Sequence, residues 1–173
     1  MQRIYLIRHG QTFFNVEHKI AGQIETDLTE IGQKQVLETA NHLKNMGVCF
    51  DSILSSPLKR AKDTAQIIAS VLQTPIVYDD GLKEFSNGIY EGVKIDDLKT
   101  MRFIPPYQTA GYKFVNGCDL YAAYSSFDPK YDTISYPNGE TKKEAREITK
   151  GTRKSRPFRA PTCHAMCLAL FGF

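Results

Sequence analysis

Ile4-Tyr5-Leu6-Ile7 runs directly into Arg8-His9-Gly10. Four successive apolar residues without polar alternation suit a strand buried on both faces, as at the centre of a parallel sheet. Parallel strands need crossover connections, and the following sequence contains helical patterns that suit them. After a polar loop, Leu28-Thr29 leads into a pattern with Ile31, Val36, Leu37, Ala40 and Leu43 on one face, Thr29 as N-cap and Gly47 as the stop. Phe50-Asp51-Ser52-Ile53-Leu54-Ser55 reads as a second strand. Ser56-Pro57 opens another helix, with Ser56 as cap, Pro57 in the first helical position and Ala61, Ala65, Ile68 and Leu72 as its apolar stripe. Pro75-Ile76-Val77-Tyr78 reads as a third strand. Alternating strands and helices predict an α/β fold with a parallel sheet.

The chain has 173 residues, 42% of them hydrophobic, which is enough for one domain with an apolar core. Charges interrupt every apolar run short of the ~18 residues that a membrane span requires, so no membrane association is expected. Met1 to Ile7 is too short an apolar run for a secretory signal. Cys49, Cys118, Cys163 and Cys167 form no CxxC pair and read as free thiols, which points to the cytoplasm. Residues 141–159 hold eight Lys/Arg against two Asp/Glu, a net of +6, which leaves −3 for the rest of a chain whose total is +3. That local excess is interleaved with a single aromatic, Phe158, so nucleic acid is not expected as a partner.

Ligand sites of α/β sheets gather beyond the carboxyl ends of the strands. Arg8, His9 and Gly10 follow the first strand, with Asn15 shortly after; Arg60 follows the second, and Glu84 the third. Two arginines, a histidine and a carboxylate at one edge suit phosphoryl transfer, because planar guanidinium groups match the oxygens of a phosphate dianion. Arg8 and Arg60 are expected to hold the phosphoryl group. His9, as a neutral imidazole oriented through its other ring nitrogen, is the candidate nucleophile. Glu84 is the candidate acid for the leaving oxygen and the base for water, its pKa raised by partial burial. Since arginines neutralise the phosphate, neither a metal nor a cofactor is expected.

Leu6-Ile7-Arg8-His9-Gly10-Gln11-Thr12 with Asn15 resembles the signature of the histidine phosphatase superfamily, which includes cofactor-dependent phosphoglycerate mutases. Gly22 to Gly32 is similar to the family's next loop and helix start. Ser55-Ser56-Pro57-Leu58-Lys59-Arg60-Ala61 with Thr64-Ala65 resembles its second arginine motif, and Leu82-Lys83-Glu84 with Gly88 and Glu91-Gly92 its acid/base segment. Tyr136-Pro137-Asn138-Gly139-Glu140 resembles its later glycine-glutamate element. The resemblance implies a phosphoglycerate mutase-like, three-layer α/β/α sandwich with a mostly parallel central sheet. It also implies a phosphohistidine at His9, phosphate contacts from Arg8, Asn15, Arg60 and a second histidine, and proton transfer by Glu84. The expected substrate is a small phosphorylated metabolite and the expected activity hydrolysis. A mutase-type phosphotransferase and an inert phosphate-binding remnant are the alternatives.

One domain is expected over 1–173. Residues 104–138, rich in Tyr, Gly, Asp and Pro, form a lid-like insertion in this reading, and residues 141–150 have helix-forming composition. The segment 151–173 is atypical of the family. His164 is the sole late histidine and so the candidate for the second one, at a shorter interval from Glu140 than the family's helix and strand need; the residues after it read as a helix start. Arg156-Pro157-Phe158-Arg159-Ala160-Pro161 precedes it where a buried strand belongs. A central strand is therefore expected to be missing, with His164 either a phosphate ligand or a bystander. Oligomeric state is open.

Overall fold

Four parallel strands, β1 (Ile4–Leu6), β2 (Phe50–Ser55), β3 (Ile76–Tyr78) and β4 (His164–Leu168), form one sheet in the order β1-β4-β2-β3. The computed structural model describes residues 4–98, 139–140, 143–144 and 164–168. Between the first three strands lie α1 (Phe13–Val16), α2 (Glu30–Asn45) and α3 (Lys59–Leu72); α4 (Ile95–Leu98) follows β3. The α/β class and parallel sheet are as the sequence predicts.

Both crossovers run the same way along the sheet, so right-handed connections set α2 and α3 on one face, where they pack against each other. Leu28, Val36, Ala40, Leu43, Phe50, Ile53, Ala65 and Ile68 form the buried core there. Tyr5 meets Phe50 edge-on across the sheet, with ring centroids 5.2 Å apart. The second helical layer expected of a three-layer sandwich, the 104–138 insertion and the 151–161 stretch lie outside the described residues; of 141–150, residues 143 and 144 are described, both helical. Among the described residues no helix is long and apolar enough to cross a membrane.

Three features differ from the sequence expectation. In α2, Thr29 caps Gly32 N–H as predicted, and Gly47 follows the helix at φ +66°. Ile31 and Leu37, however, are largely exposed, because the buried stripe is the narrower set Gly32, Val36, Ala40 and Leu43. Ser56 is not the cap of α3. The helix begins at Lys59, whose N–H is capped from elsewhere in the chain by the Glu25 carboxylate at 2.6 Å. Finally, the central strand is present: His164–Leu168 is strand rather than helix start, and it lies between β1 and β2. Its register pairs Leu6 and Leu54 with Cys167 and Ser55 with Leu168. The apolar run Ala165–Leu168 fits a short strand as well as a helical turn, and pairing on both edges decides for the strand.

Candidate active site

Chain geometry beyond β1 presents His9. Gly10 lies against the first turns of α2 so closely that an added Cβ would overlap the Gly32 carbonyl and sit 2.8 Å from Val36 Cγ2. A Cβ on Gly32 would in turn overlap the backbone of Gln11. These interlocked glycines let the loop rest directly on the helix. Gly10 N–H adds a 3.3 Å bond to Thr64 Oγ1 of α3. The half-buried His9 imidazole then has a fixed backbone beneath it.

His9 Nδ1 lies 2.7 Å from the Gly10 carbonyl oxygen. A carbonyl can only accept, so Nδ1 carries the proton and Nε2 keeps its lone pair. Burial draws the His9 pKa down to about 4, and the positive charges of Arg60 and Arg8 add to that, while the bond to Gly10 opposes it. At neutral pH the ring is therefore uncharged, oriented and nucleophilic at Nε2.

Arg60 sits in the first turn of α3 and is 2% exposed. Its Nη2 donates to the Gly22 carbonyl at 2.8 Å and its Nη1 to the Ile24 carbonyl at 3.3 Å. Two of the five guanidinium donors are thereby engaged, which leaves the others for an anion. Burial lowers the Arg60 pKa, against the opposing fields of Glu84, Glu25 and Glu91. Thr64 joins the two halves of the site: its hydroxyl donates to the Arg60 carbonyl at 2.7 Å and accepts from Gly10 N–H.

Of the remaining predicted residues, Arg8 is exposed beside His9 and contributes its charge there. Asn15 lies on α1, where its Oδ1 closes a capping box with Thr12, accepting from Thr12 N and Oγ1 at 3.0 Å each. What Asn15 can offer an anion is its amide N–H₂. Glu84 is half-buried in the loop after β3, and its charge acts on Arg60. His9, Arg8, Arg60 and Glu84 thus share one electrostatic neighbourhood.

The backbone of His164 stands apart from the other candidate residues. It pairs with Phe50 at the amino end of the sheet, whereas the site lies beyond Leu6 and Ser55 at the carboxyl end. Four steps along the strand, roughly 13 Å, separate His164 from Leu168. The register therefore sets its backbone at the far end of the sheet from His9.

Gln23 and Glu91 carried no role in the sequence reading, although both lie in its quoted motifs. Gln23 Nε2 donates to the Glu84 carbonyl at 3.0 Å, and Glu91 Oε1 accepts from Gln23 N–H and Asn87 N–H at 3.0 and 2.8 Å. Gly22, at φ +48°, has no Cβ because Glu91 occupies that space. A cavity of about 270 Å³ lined by Gln23, Glu25, Pro57, Leu58, Asp80 and Lys83 adjoins these residues. Among the described residues no three His, Cys, Asp or Glu side chains gather in the manner of a metal site.

The family model of the histidine phosphatase superfamily (branch 1) matches residues 4–109. A probable phosphoglycerate mutase of Escherichia coli O1:K1 is 39% identical over 98 residues, which are 57% of this chain and 45% of that protein. The chain thus spans less than half the length of the curated relatives it matches. Among solved structures, Bacillus stearothermophilus YhfR is similar with a TM-score of 0.74 at 22% identity, over 96% of this chain and 72% of that one. A putative alpha-ribazole-5'-P phosphatase from Escherichia coli K-12 gives 0.72 at 23%, over 98% and 73%. A mycobacterial glucosyl-3-phosphoglycerate phosphatase gives 0.71 at 22%, over 98% and 76%. At such identities these likenesses establish the fold.

Proposed function

The chain belongs to the histidine phosphatase superfamily (branch 1), and from that premise we propose that it hydrolyses a small phosphomonoester through a phosphohistidine at His9. One observation carries the proposal: a neutral imidazole, pinned through Nδ1–H to the Gly10 carbonyl, stands beside a buried arginine with donors to spare.

His9 Nε2 attacks phosphorus in line, and the bond from phosphorus to the ester oxygen breaks. Arg60 and Arg8 hold the equatorial oxygens, and their charge stabilises the transition state more than the ground state. The Asn15 amide N–H₂ adds a donor. Glu84 gives its proton to the departing alkoxide, then as carboxylate takes one from the water that attacks the phosphohistidine. The N–P bond breaks, inorganic phosphate leaves, and Glu84 is protonated again. His164 has no part in this scheme. The substrate is a small phosphorylated metabolite, and the compartment is the cytoplasm, in keeping with the free thiol of Cys49.

Rapid-quench incubation with a ³²P-labelled phosphomonoester tests the scheme. An acid-labile label on His9, lost in His9→Ala together with p-nitrophenyl phosphate turnover, is the expected result. Equal turnover by both proteins would sink it. A mutase is the second reading, favoured by the name of the curated relatives. It requires that a bisphosphorylated cofactor prime the enzyme and that phosphoryl transfer between substrate hydroxyls outpace hydrolysis.

A further inference from the structure

The loop carrying Glu84 is held from outside. Ser86 exchanges two bonds with Glu140: Glu140 N–H donates to the Ser86 carbonyl at 2.9 Å, and Ser86 N–H donates to Glu140 Oε2 at 3.0 Å. Gln23 Nε2, which donates to the Glu84 carbonyl at 3.0 Å, lies 3.5 Å from each Glu140 carboxylate oxygen. Asn87 N–H donates to Glu91 at 2.8 Å. Three of the four residues in 84–87 therefore have backbone groups tied to Gln23, Glu140 or Glu91. The neighbours of Gln23, Gly22 and Ile24, are the residues whose carbonyls hold the Arg60 guanidinium.

We infer that Glu140 is a positioning residue for proton transfer: with Gln23 it sets the place of Glu84 relative to the phosphate-holding Arg60. The short segment 22–24 is the ruler between the two. Its carbonyls orient the arginine, its Gln23 side chain holds the Glu84 backbone, and the Glu140 carboxylate fastens both Gln23 and Ser86. A charged acceptor fits this task because it receives a backbone N–H and a side-chain N–H together, at geometries that a smaller side chain cannot span. The inference rests on the assignment of Glu84 as acid.

Leaving-group dependence tests it, because 2,4-dinitrophenolate departs without a proton and phenolate needs one. The measured quantity is kcat/KM for 2,4-dinitrophenyl phosphate and for phenyl phosphate, which reports the phosphorylation step. Glu140→Ala and Gln23→Ala are expected to lose roughly 10- to 100-fold on phenyl phosphate and about threefold or less on the dinitrophenyl ester. Glu140→Gln should fall between these variants and the parent, because its amide oxygen still accepts from Ser86 N–H. Equal losses on both esters, or no loss on either, would overturn the inference. Should Glu140→Ala fail to fold, the Glu140→Gln and Gln23→Ala pair decides by the same criterion. Glu84→Gln separates the two levels. If it shows the leaving-group dependence and the Glu140 and Gln23 variants do not, the positioning role falls alone; if Glu84→Gln shows none, the acid assignment falls and takes the positioning role with it.

Discussion

Acidification tests the state of His9 directly. In the folded chain its pKa is drawn down to about 4, chiefly by burial, whereas an unfolded chain titrates near the ordinary value of 6.5. Between those values the unfolded state binds a proton that the native state refuses, so stability rises with pH in that window. Above about pH 6.5 the group is neutral in both states and the full stability is present; it is lost as pH falls toward 4. At about 1.4 kcal/mol per pKa unit the total loss is about 3 kcal/mol, of which about 2 kcal/mol is gone by pH 5. Urea unfolding of the parent and of His9→Gln from pH 7.5 to 4 isolates the contribution, since other groups cancel in the difference. The parent should lose that stability relative to the variant, and the His9 ring proton should titrate near 4 in NMR spectra. A difference that stays constant between pH 7.5 and 5, or a midpoint at 6 or above, would refute the buried, neutral imidazole.

Thr64→Val removes both the acceptor for Gly10 N–H and the donor to the Arg60 carbonyl at a fully buried position. A loss of about 1–3 kcal/mol in urea unfolding is expected, with a fall in kcat/KM as His9 and Arg60 lose their common tie. Gly32→Ala forces a methyl into the Gln11 backbone and should cost about 1–3 kcal/mol or more, read from the thermal midpoint; an unchanged midpoint would mean that the loop does not rest on α2. Arg60→Lys keeps the charge but loses the planar fork that spans the Gly22 and Ile24 carbonyls. From the value of a charge-assisted hydrogen bond, about 1.5–3 kcal/mol, kcat/KM should fall about 10- to 100-fold, whereas parent-like kinetics would remove Arg60 from the phosphate site.

What could be read from the sequence was whatever depended on local pattern. The β2 strand has the predicted bounds, Phe50 to Ser55, and Ser56-Pro57 marks where its pattern ends. His9, Arg60 and Glu84 follow the ends of successive strands, and topology then carries them to one edge. Interactions between distant residues left no such signal. Nothing near Lys59 announces that Glu25 will cap its helix, and nothing near Glu84 announces that Gln23 and Glu140 will hold its loop. The place of His164 in the sheet was not legible for a related reason. Sequence order places a residue along the chain, but only strand register decides which end of a sheet it occupies, and pairing with Phe50 sets His164 at the amino end.

The position of β4 has a consequence for how the protein is made. β1 and β2 flank β4 and bond to it rather than to each other, so two strands from the first third of the chain await a third from its end. During synthesis they emerge with facing, unsatisfied edges, and a ribosome working at about 5–20 residues per second needs about 5–20 s more to deliver the strand between them. Nascent chains stalled after residue 98 should accordingly be captured by holding chaperones and cleaved readily by protease, becoming resistant only once residue 168 has cleared the exit tunnel.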